Sequence, residues 1–268
     1  MLAPAVIGQP PSMSKQNKSI KVYLDIVLSS TFVCLQLKDF DSGNIFLRER
    51  LDYEKVSDPT ILLTKIEEIL NIANINLYSV LEPKLIFDND YYALVPELLY
   101  QKGKEKTYLK FNTQLENDDY VVSDNLKAIN TYNIYLPYAN INNYLIDKFE
   151  KLEFYHFNTV LINRLVNKND SDSCYCFIEE GFLKILILKK REILFFNSFS
   201  YNSLDDVLYF LILVLQDKSL KNSKLPVKIY SKKDPEEIKN KFKSFLKDVT
   251  VIHPVSYTHL TLPTTQVV

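Results

Sequence analysis

The chain has 268 residues, of which 47% are apolar, so it can form one large core or two domains of ordinary size. Its 32 Lys and Arg residues balance 33 Asp and Glu residues, which leaves no net field to attract the whole protein to nucleic acid or to an anionic membrane. The three cysteines, Cys34, Cys174 and Cys176, are an odd and small number for a disulfide-stapled secreted scaffold, which favours a reducing cytoplasm.

The two ends of the chain differ from the rest. Residues 1–18 contain prolines and lack the basic start and apolar run of a signal peptide, so we expect a non-native or disordered extension, with Met13 as the natural start. Residues 255–268 contain no Lys, Asp, Glu or Asn, and SYTHLTLPTT resembles translated sequencing-adapter read-through. We therefore expect this tail to be foreign. The run VLYFLILVL from Val207 is too short to span a bilayer, which predicts a buried helix and no membrane insertion.

Period-two alternation predicts an antiparallel meander at the start of the chain. The segments SIKVYLDI, FVCLQLKDF and IFLRERL alternate apolar and polar residues and are separated by the turns VLSS and DFDSGN. A helix should follow, because Asp58 is a good N-cap, Pro59 suits the first helical position and apolar residues recur at helical spacing. Two further strands are predicted in PKLIF and YYALVP.

The same order returns later in the chain. SCYCFI, FLKILIL and EILFFNSF predict a second meander, followed by a helix capped by Ser203, the strand PVKIY, a helix capped by Asp234 and the strand VTVIHP. Between the repeats we expect the strands TYLKFNTQL, DYVVSDNL and NIYLP and the helix NINNYLIDKF. The pattern predicts an α/β protein with a duplicated ribonuclease H-like fold, in two lobes of mixed sheets flanked by helices over residues 19–166 and 170–254.

Three segments carry a resemblance to a known family. SIKVYLDI, YYALVPELLY at 91–100 and the second meander with its helix resemble the bacterial domain of unknown function 3822 family, over roughly Ser19 to Pro254. The resemblance implies an actin-like ATPase fold without an assigned activity. It also implies a likeness in shape to the cytoplasmic scaffold subunits of type II secretion and type IV pilus machines.

The resemblance further implies where a nucleotide would bind. In active members of the superfamily each lobe has a hairpin turn with Asp, any residue, Gly and then small or hydroxyl residues, because glycine lets backbone N–H groups approach a phosphate. Asp25 takes the aspartate position in the first lobe, but Val27 replaces the glycine and Leu28 the hydroxyl residue. A β-branched side chain disfavours the required torsions and fills the space of a phosphate oxygen.

The second lobe has lost the pattern in a different way. Glu179 takes the aspartate position and Gly181 keeps the glycine, but Phe182 follows where a small residue is needed. A third signature, a glycine pair that packs against adenosine, has no counterpart in IYSKKDP at 229–235. We therefore expect no catalytic residue, no metal site and no bound ATP or Mg²⁺. If ATP does bind, Asp25, Ser29, Glu179 and Gly181 are the expected contacts; otherwise Asp25 should be a solvated or turn-capping carboxylate.

Other chemistry-bearing residues have simpler explanations. His156 lies among aromatic residues and is predicted to be a satisfied, half-buried histidine, and Cys174 and Cys176 alternate on one strand face as buried thiols. Ten lysines and no arginine lie between Lys218 and Lys247, which favours a solvated surface over nucleic-acid binding.

The predicted function is a non-catalytic, cytoplasmic protein-interaction or scaffold module with an unidentified protein partner. The 18 Tyr and 16 Phe residues exceed the needs of two cores and are typical of partner surfaces. Two alternatives stay open, a divergent ATP-binding ATPase or kinase and an RNA-associated accessory protein.

Overall fold

A computed structural model describes residues 20–168, 172–179, 181–190, 192–220, 225–246 and 248–252. Contacts divide the chain into two compact units, whose described residues are 20–126 with 131–161 and 127–130 with 162–252. The predicted extensions 1–18 and 255–268 lie outside the described residues. The predicted lobe limits of 19–166 and 170–254 stay predictions, because residues 19, 170 and 254 lie outside them as well.

The first unit contains a five-stranded mixed sheet. Its strands are β1 Ile20–Ser29, β2 Phe32–Asp39, β3 Ile45–Asp52, β4 Tyr78–Asp88 and, later in the chain, β8 Glu153–His156. The order is β3-β2-β1-β4-β8, with an antiparallel meander of the first three strands and parallel pairing of β1 with β4 and of β4 with β8. The structure confirms the predicted meander. The predicted position of its first turn, VLSS, is wrong, because β1 continues to Ser29 and the chain turns at Ser30 and Thr31.

Helices α1 Pro59–Ile72 and α3 Ala139–Phe149 supply the helical part of the core of this unit. The Asp58 side chain accepts a hydrogen bond from the Thr60 N–H, as expected of the predicted N-cap. Alternate residues of β1, such as Leu24 and Ile26, pack with the apolar stripe of α1. Residues between them on β1 therefore point to the other face of the sheet.

A small antiparallel sheet, in the order β5-β7-β6, completes the first unit. Its strands are β5 Tyr92–Pro96, β6 Val122–Leu126 and β7 Thr131–Tyr135, and the short helix α2 Glu105–Leu109 packs against β5 and β7. The predicted strand TYLKFNTQL is wrong, because Thr107 to Leu109 belong to α2. Helix α4 Phe157–Lys168 continues the chain after β8.

The second unit repeats the topology of the first sheet. Its strands are β9 Ser173–Glu179, β10 Phe182–Lys189, β11 Glu192–Ser200, β12 Val227–Ser231 and β13 Val249–Ile252, in the order β11-β10-β9-β12-β13. Cys174 and Cys176 are buried in β9, as predicted, and burial raises the pKa of the Cys174 thiol to about 12. Neither thiol is therefore a ready nucleophile.

Helices α5 Leu204–Asp217 and α6 Pro235–Phe242 belong to this unit. Ser203 and Asp206 form a capping box at the start of α5, which confirms the predicted cap. Helix α6 ends at Phe242, and the apolar residues Phe245 and Leu246 follow it outside the helix. Within the described part of the chain, no helix is both long and apolar enough to cross a bilayer.

Candidate functional site

The first predicted phosphate turn contains a buried carboxylate in the middle of a strand. Asp25 lies on β1 opposite Gln36 of β2, on the sheet face that points away from α1, and it is only 3% exposed. The carboxylate of Asp25 accepts a hydrogen bond from the ammonium group of Lys38 on β2, which is itself 5% exposed. The prediction of a solvated or turn-capping Asp25 is therefore wrong, because β1 extends four residues beyond it.

Lys38 is the residue that the sequence analysis missed at this site. Its ammonium group supplies a positive charge in direct contact with the Asp25 carboxylate. The signal was present in FVCLQLKDF, where Cys34, Gln36 and Lys38 alternate on one face. The pairing with Asp25 depends on the β1–β2 register, which the sequence does not give.

The carbonyl groups of the turn after Ser29 accept hydrogen bonds from residues of the same unit. The Tyr53 hydroxyl donates to the Ser29 carbonyl at 2.8 Å, the Tyr53 N–H donates to the Thr31 carbonyl at 2.9 Å and the Val56 N–H donates to the Ser30 carbonyl at 2.8 Å. Burial raises the pKa of the Tyr53 hydroxyl well above its usual value. Val27 is buried, so its side chain fills the position where the superfamily pattern has a glycine.

The second predicted phosphate turn, at Gly181, keeps part of the superfamily geometry. Glu179 is the last residue of β9, and Gly181 has φ of +75° with open space where a Cβ atom would be. Tyr201 contacts this turn twice, since its hydroxyl donates to the Glu179 carbonyl at 2.5 Å and its N–H donates to the Gly181 carbonyl at 3.2 Å. Leu183, two residues after the glycine, belongs to the core of the second unit.

The predicted adenosine segment follows β12 and contains no glycine. Ser231 is buried and its hydroxyl accepts the Lys233 N–H at 3.1 Å, while the Asp234 side chain caps α6. The ammonium group of Lys233 lies 5.7 Å from the centre of the Tyr201 ring, in a cation–π contact. The second unit thus places Glu179, Gly181, Tyr201 and Lys233 in one connected group of contacts.

A cluster of polar groups around the half-buried Asp124 lies where β6, β7, β8 and α4 meet, and it was not predicted from the sequence. The Asp124 carboxylate of β6 accepts hydrogen bonds from the Thr159 hydroxyl at 2.7 Å, the His156 N–H at 3.3 Å and the Tyr135 hydroxyl at 3.3 Å. Burial raises the pKa of Asp124 to about 6, against the lowering effect of these donors. No spacing in the sequence signals this cluster, because its members come from four separate elements.

His156 is a satisfied histidine, as predicted, although it is fully rather than half buried. Its Nδ1 accepts the Asn158 N–H at 3.1 Å, so the proton of the neutral ring is on Nε2, which lies 3.1 Å from the Asn89 carbonyl oxygen. Asn158 is also fully buried, and neither polar atom of its side chain has a hydrogen-bond partner among the described residues. The backbone groups of Asn158 and Asn89 thus provide a hydrogen-bond partner for each nitrogen of the His156 imidazole.

Several lysines of the Lys218–Lys247 segment have acidic or aromatic partners. Lys239 pairs with Glu236 at 3.1 Å, Lys241 with Asp205 at 2.8 Å and Lys218 with Asp217 at 2.8 Å. Lys228 lies 5.3 Å from the centre of the Tyr175 ring. Such pairs reduce the positive charge that this segment presents to solvent.

The repeated sheet order with its hairpin turns defines the class of the protein, which is the actin-like ATPase fold. A crystal structure of a Bacteroides thetaiotaomicron protein with this fold and unknown function matches with a TM-score of 0.75 and 19% identity, over 91% of this chain and 96% of that one. The chain belongs to the family described as Protein of unknown function (DUF3822), which matches residues 12–249. Both findings confirm the family resemblance and the fold class predicted from the sequence.

Two further structures share the fold at lower similarity. The ethanolamine utilization protein EutJ from Carboxydothermus hydrogenoformans matches with a TM-score of 0.51 and 13% identity, over 95% of this chain and 90% of that one. A chain of the PilM–PilN type IV pilus biogenesis complex matches with a TM-score of 0.53 and 10% identity, over 87% of this chain and 88% of that one. No curated protein matches the sequence of this chain.

Proposed function

We propose that this protein is a cytoplasmic, non-catalytic interaction module that keeps the actin-like fold and has lost nucleotide chemistry. The observation that carries the proposal is the buried ion pair of Lys38 with Asp25. A carboxylate that orients Mg²⁺ or water must be reachable by the ligand. Here the carboxylate is almost fully buried, and a bound Mg²⁺ would have to displace a lysine that is itself buried.

Two further features support the same proposal. The buried Val27 side chain fills the glycine position of the first site, and the adenosine segment lacks the glycines that would let a flat base lie against the backbone. The turn at Gly181 keeps its backbone conformation, which is the one feature that favours the alternative of a divergent ATPase or kinase. An ATP site would need all three parts, and two of them lack the required groups.

A protein partner is supported by a fold neighbour and by the surface of the chain. The PilM–PilN structure is a complex of two proteins, one of which shares this fold. Large apolar side chains are also exposed on this chain, among them Leu98, Phe111 and Tyr209. Exposed apolar groups on a folded protein are typical of surfaces that bind a partner.

Thermal unfolding with and without ATP and Mg²⁺ tests the proposal. A ligand present at 100 times its dissociation constant stabilises the folded state by about 2.7 kcal/mol. We expect no change in Tm up to millimolar ATP. A dose-dependent rise in Tm that is lost in Gly181→Ala and kept in Gly43→Ala would show that the enzyme alternative is right.

The two glycine variants form a matched pair. Gly43 and Gly181 both lie in hairpin turns with positive φ, and neither has an atom within 4 Å of an added Cβ. Both substitutions therefore introduce the same backbone strain. Only the change at Gly181 would also place a methyl group in a phosphate position.

A further inference from the structure

The turn that follows β5 presents two leucines to solvent. Glu97, Leu98 and Leu99 form a 3-10 turn directly after Pro96, within the segment YYALVPELLY. Leu98 is 98% exposed and Leu99 is 64% exposed. We name these three residues the leucine turn. Isolated apolar residues on a surface are ordinary, but two adjacent exposed leucines in one turn form an apolar projection.

Hydrogen bonds from Tyr108 hold the leucine turn in place. The Tyr108 hydroxyl donates to the Leu99 carbonyl at 2.6 Å and accepts the Gln101 N–H at 2.9 Å. One side chain of α2 therefore bridges the two backbone positions that bracket Tyr100. The backbone of Tyr100 also donates to the Pro96 and Glu97 carbonyls, at 3.1 Å each. The turn is thus tied to α2 as well as to β5.

Tyr100 fixes the other side of the turn against the small sheet. Its ring stacks on Tyr132 of β7 with a centroid distance of 3.8 Å, and its hydroxyl donates to the Glu105 carboxylate at 2.6 Å and lies 3.1 Å from the Ser123 hydroxyl of β6. The leucine turn is therefore attached to every strand of this sheet. Rigid presentation means that binding would cost little conformational entropy at this surface.

The charges beside the leucine turn indicate what kind of partner it fits. Lys102, Lys104 and Lys110 are exposed in the segment that follows. Residues 97–110 carry four lysines, at positions 102, 104, 106 and 110, against two glutamates, Glu97 and Glu105. The apolar projection is therefore flanked by net positive charge, which is complementary to an apolar pocket with an acidic rim.

A membrane is a poorer fit than a protein pocket. A single myristoyl chain of fourteen carbons gives only marginal membrane binding, and two leucine side chains offer about eight carbons in total. The adjacent lysines add attraction only near an anionic surface, where it falls off within a Debye length. A shaped pocket that encloses both leucines removes more of their surface from water.

We propose that the leucine turn is the docking surface for a protein partner, inserting Leu98 and Leu99 into an apolar pocket whose rim carries carboxylates. This inference rests on the proposed function, because it names the surface through which the module binds. Tyr108 acts as a positioning residue, since it holds the turn without reaching the partner itself.

A photo-reactive amino acid placed at position 98 of the full chain in the native host identifies the partner, with the same amino acid at position 77 as control. Leu77 is 55% exposed and lies on a 3-10 turn after α1. We expect a cross-linked protein from position 98 and none from position 77. The affinity of the purified partner is then measured by calorimetry.

Four variants sharpen the measurement. Leu98→Ser should weaken binding at least about tenfold, and the pair Lys102→Glu with Lys104→Glu should weaken it and remove its salt dependence. Tyr108→Phe keeps both leucines and removes the hydroxyl that bridges Leu99 and Gln101, so a loss of a few-fold is expected. Leu77→Ser should leave affinity unchanged, and the leucine and lysine variants should keep the parent Tm.

The absence of a cross-link at position 98, or a partner affinity that Leu98→Ser leaves unchanged, overturns the proposed docking surface. Binding to phosphatidylserine vesicles that Leu98→Ser abolishes also overturns it, because a membrane then covers the turn. A partner that binds elsewhere on the chain would leave the proposed function intact. The proposed function itself fails only if the ATP-dependent Tm shift described above appears.

Discussion

The ammonium group of Lys38 and the carboxylate of Asp25 face each other between β1 and β2, on the sheet face that α1 does not cover. Burying both charges carries a large desolvation cost, which only a close mutual contact offsets. Gln36 lies beside them, and its side-chain amide has no hydrogen-bond partner among the described residues. Asp25 and Lys38 therefore stabilise each other across the β1–β2 pair.

Replacing one member of this pair should destabilise the protein more than replacing both. Lys38→Met leaves Asp25 as an uncompensated buried charge and is expected to lower the free energy of unfolding by about 3–5 kcal/mol. The double variant Lys38→Met, Asp25→Leu should recover most of that loss. Urea titration of both variants measures the difference.

The exposed pair of Lys65 with Glu68 supplies the control for this cycle. Their ammonium and carboxylate groups lie 3.0 Å apart on α1, and Lys65→Met should cost no more than about 0.5 kcal/mol. If Lys38→Met costs as little as Lys65→Met, the charge at Asp25 is not enclosed as the structure indicates.

At the scale of elements, Asp124 shows how a strand can cap a helix that is distant in sequence. Helix α4 begins at Phe157, and the carboxylate of β6 accepts the His156 N–H and the Thr159 hydroxyl at its first turn. The unpaired N–H groups of a helix start favour such an acceptor. Asn133 of β7 extends the contact by donating to the Thr159 hydroxyl at 2.9 Å. The small sheet is thereby fixed to the start of α4.

This carboxylate should give the protein a pH-dependent stability. The pKa of Asp124 is about 6 in the folded protein, against 3.8 for an unperturbed aspartate. Because the folded state holds the proton more tightly, the contribution of Asp124 to stability is fully present below pH 4 and is lost as pH rises through 6. A rise of about two pH units in the pKa corresponds to at most about 3 kcal/mol.

Urea unfolding from pH 4 to pH 7, compared between the parent and Asp124→Asn, measures this contribution. The variant should gain stability relative to the parent between pH 4 and pH 6 and then stay parallel to it. Asp118→Asn, at an exposed position near the same sheet, should follow the parent throughout. Parallel curves for the parent and Asp124→Asn would contradict the assignment of the raised pKa to Asp124.

At the scale of the whole molecule, two units repeat one strand order while their first two strands carry different residues at the predicted phosphate turns. The first unit has a buried ion pair where the second keeps an open glycine turn. Formal net charge is only −1, so surface potential depends on local clusters such as the lysines after Lys218. Several of those lysines are paired within the second unit.

The paired lysines predict that the protein does not bind RNA through this segment. Fluorescence anisotropy of a labelled single-stranded RNA should show no binding that depends on salt between about 50 and 200 mM. Binding that weakens by about a thousandfold over this range, and that Lys232→Glu with Lys233→Glu abolishes, would support the RNA-associated alternative instead. Charge reversal at exposed Lys127 serves as the control.

Local patterns predicted most of the second unit because its elements are regular. Alternation in SCYCFI and FLKILIL, the Glu-Glu-Gly turn and the Ser203 cap each depend on residues close in sequence. The middle of the chain was harder to predict. TYLKFNTQL has apolar and aromatic residues at both helical and strand spacing, and packing of α2 against β5 and β7 decided in favour of the helix.

By itself, the sequence determined the fold class, the repeated order of elements and the caps of α1, α5 and α6. It also determined the loss of glycine at two of the three nucleotide signatures. All of these depend on residue type and local spacing. Only the tertiary structure decided that Asp25 is paired with Lys38, that Asp124 caps α4 and that Leu98 projects from a fixed turn. Such contacts join residues through strand register and packing, and many different sequence separations satisfy the same hydrogen bonds and charges.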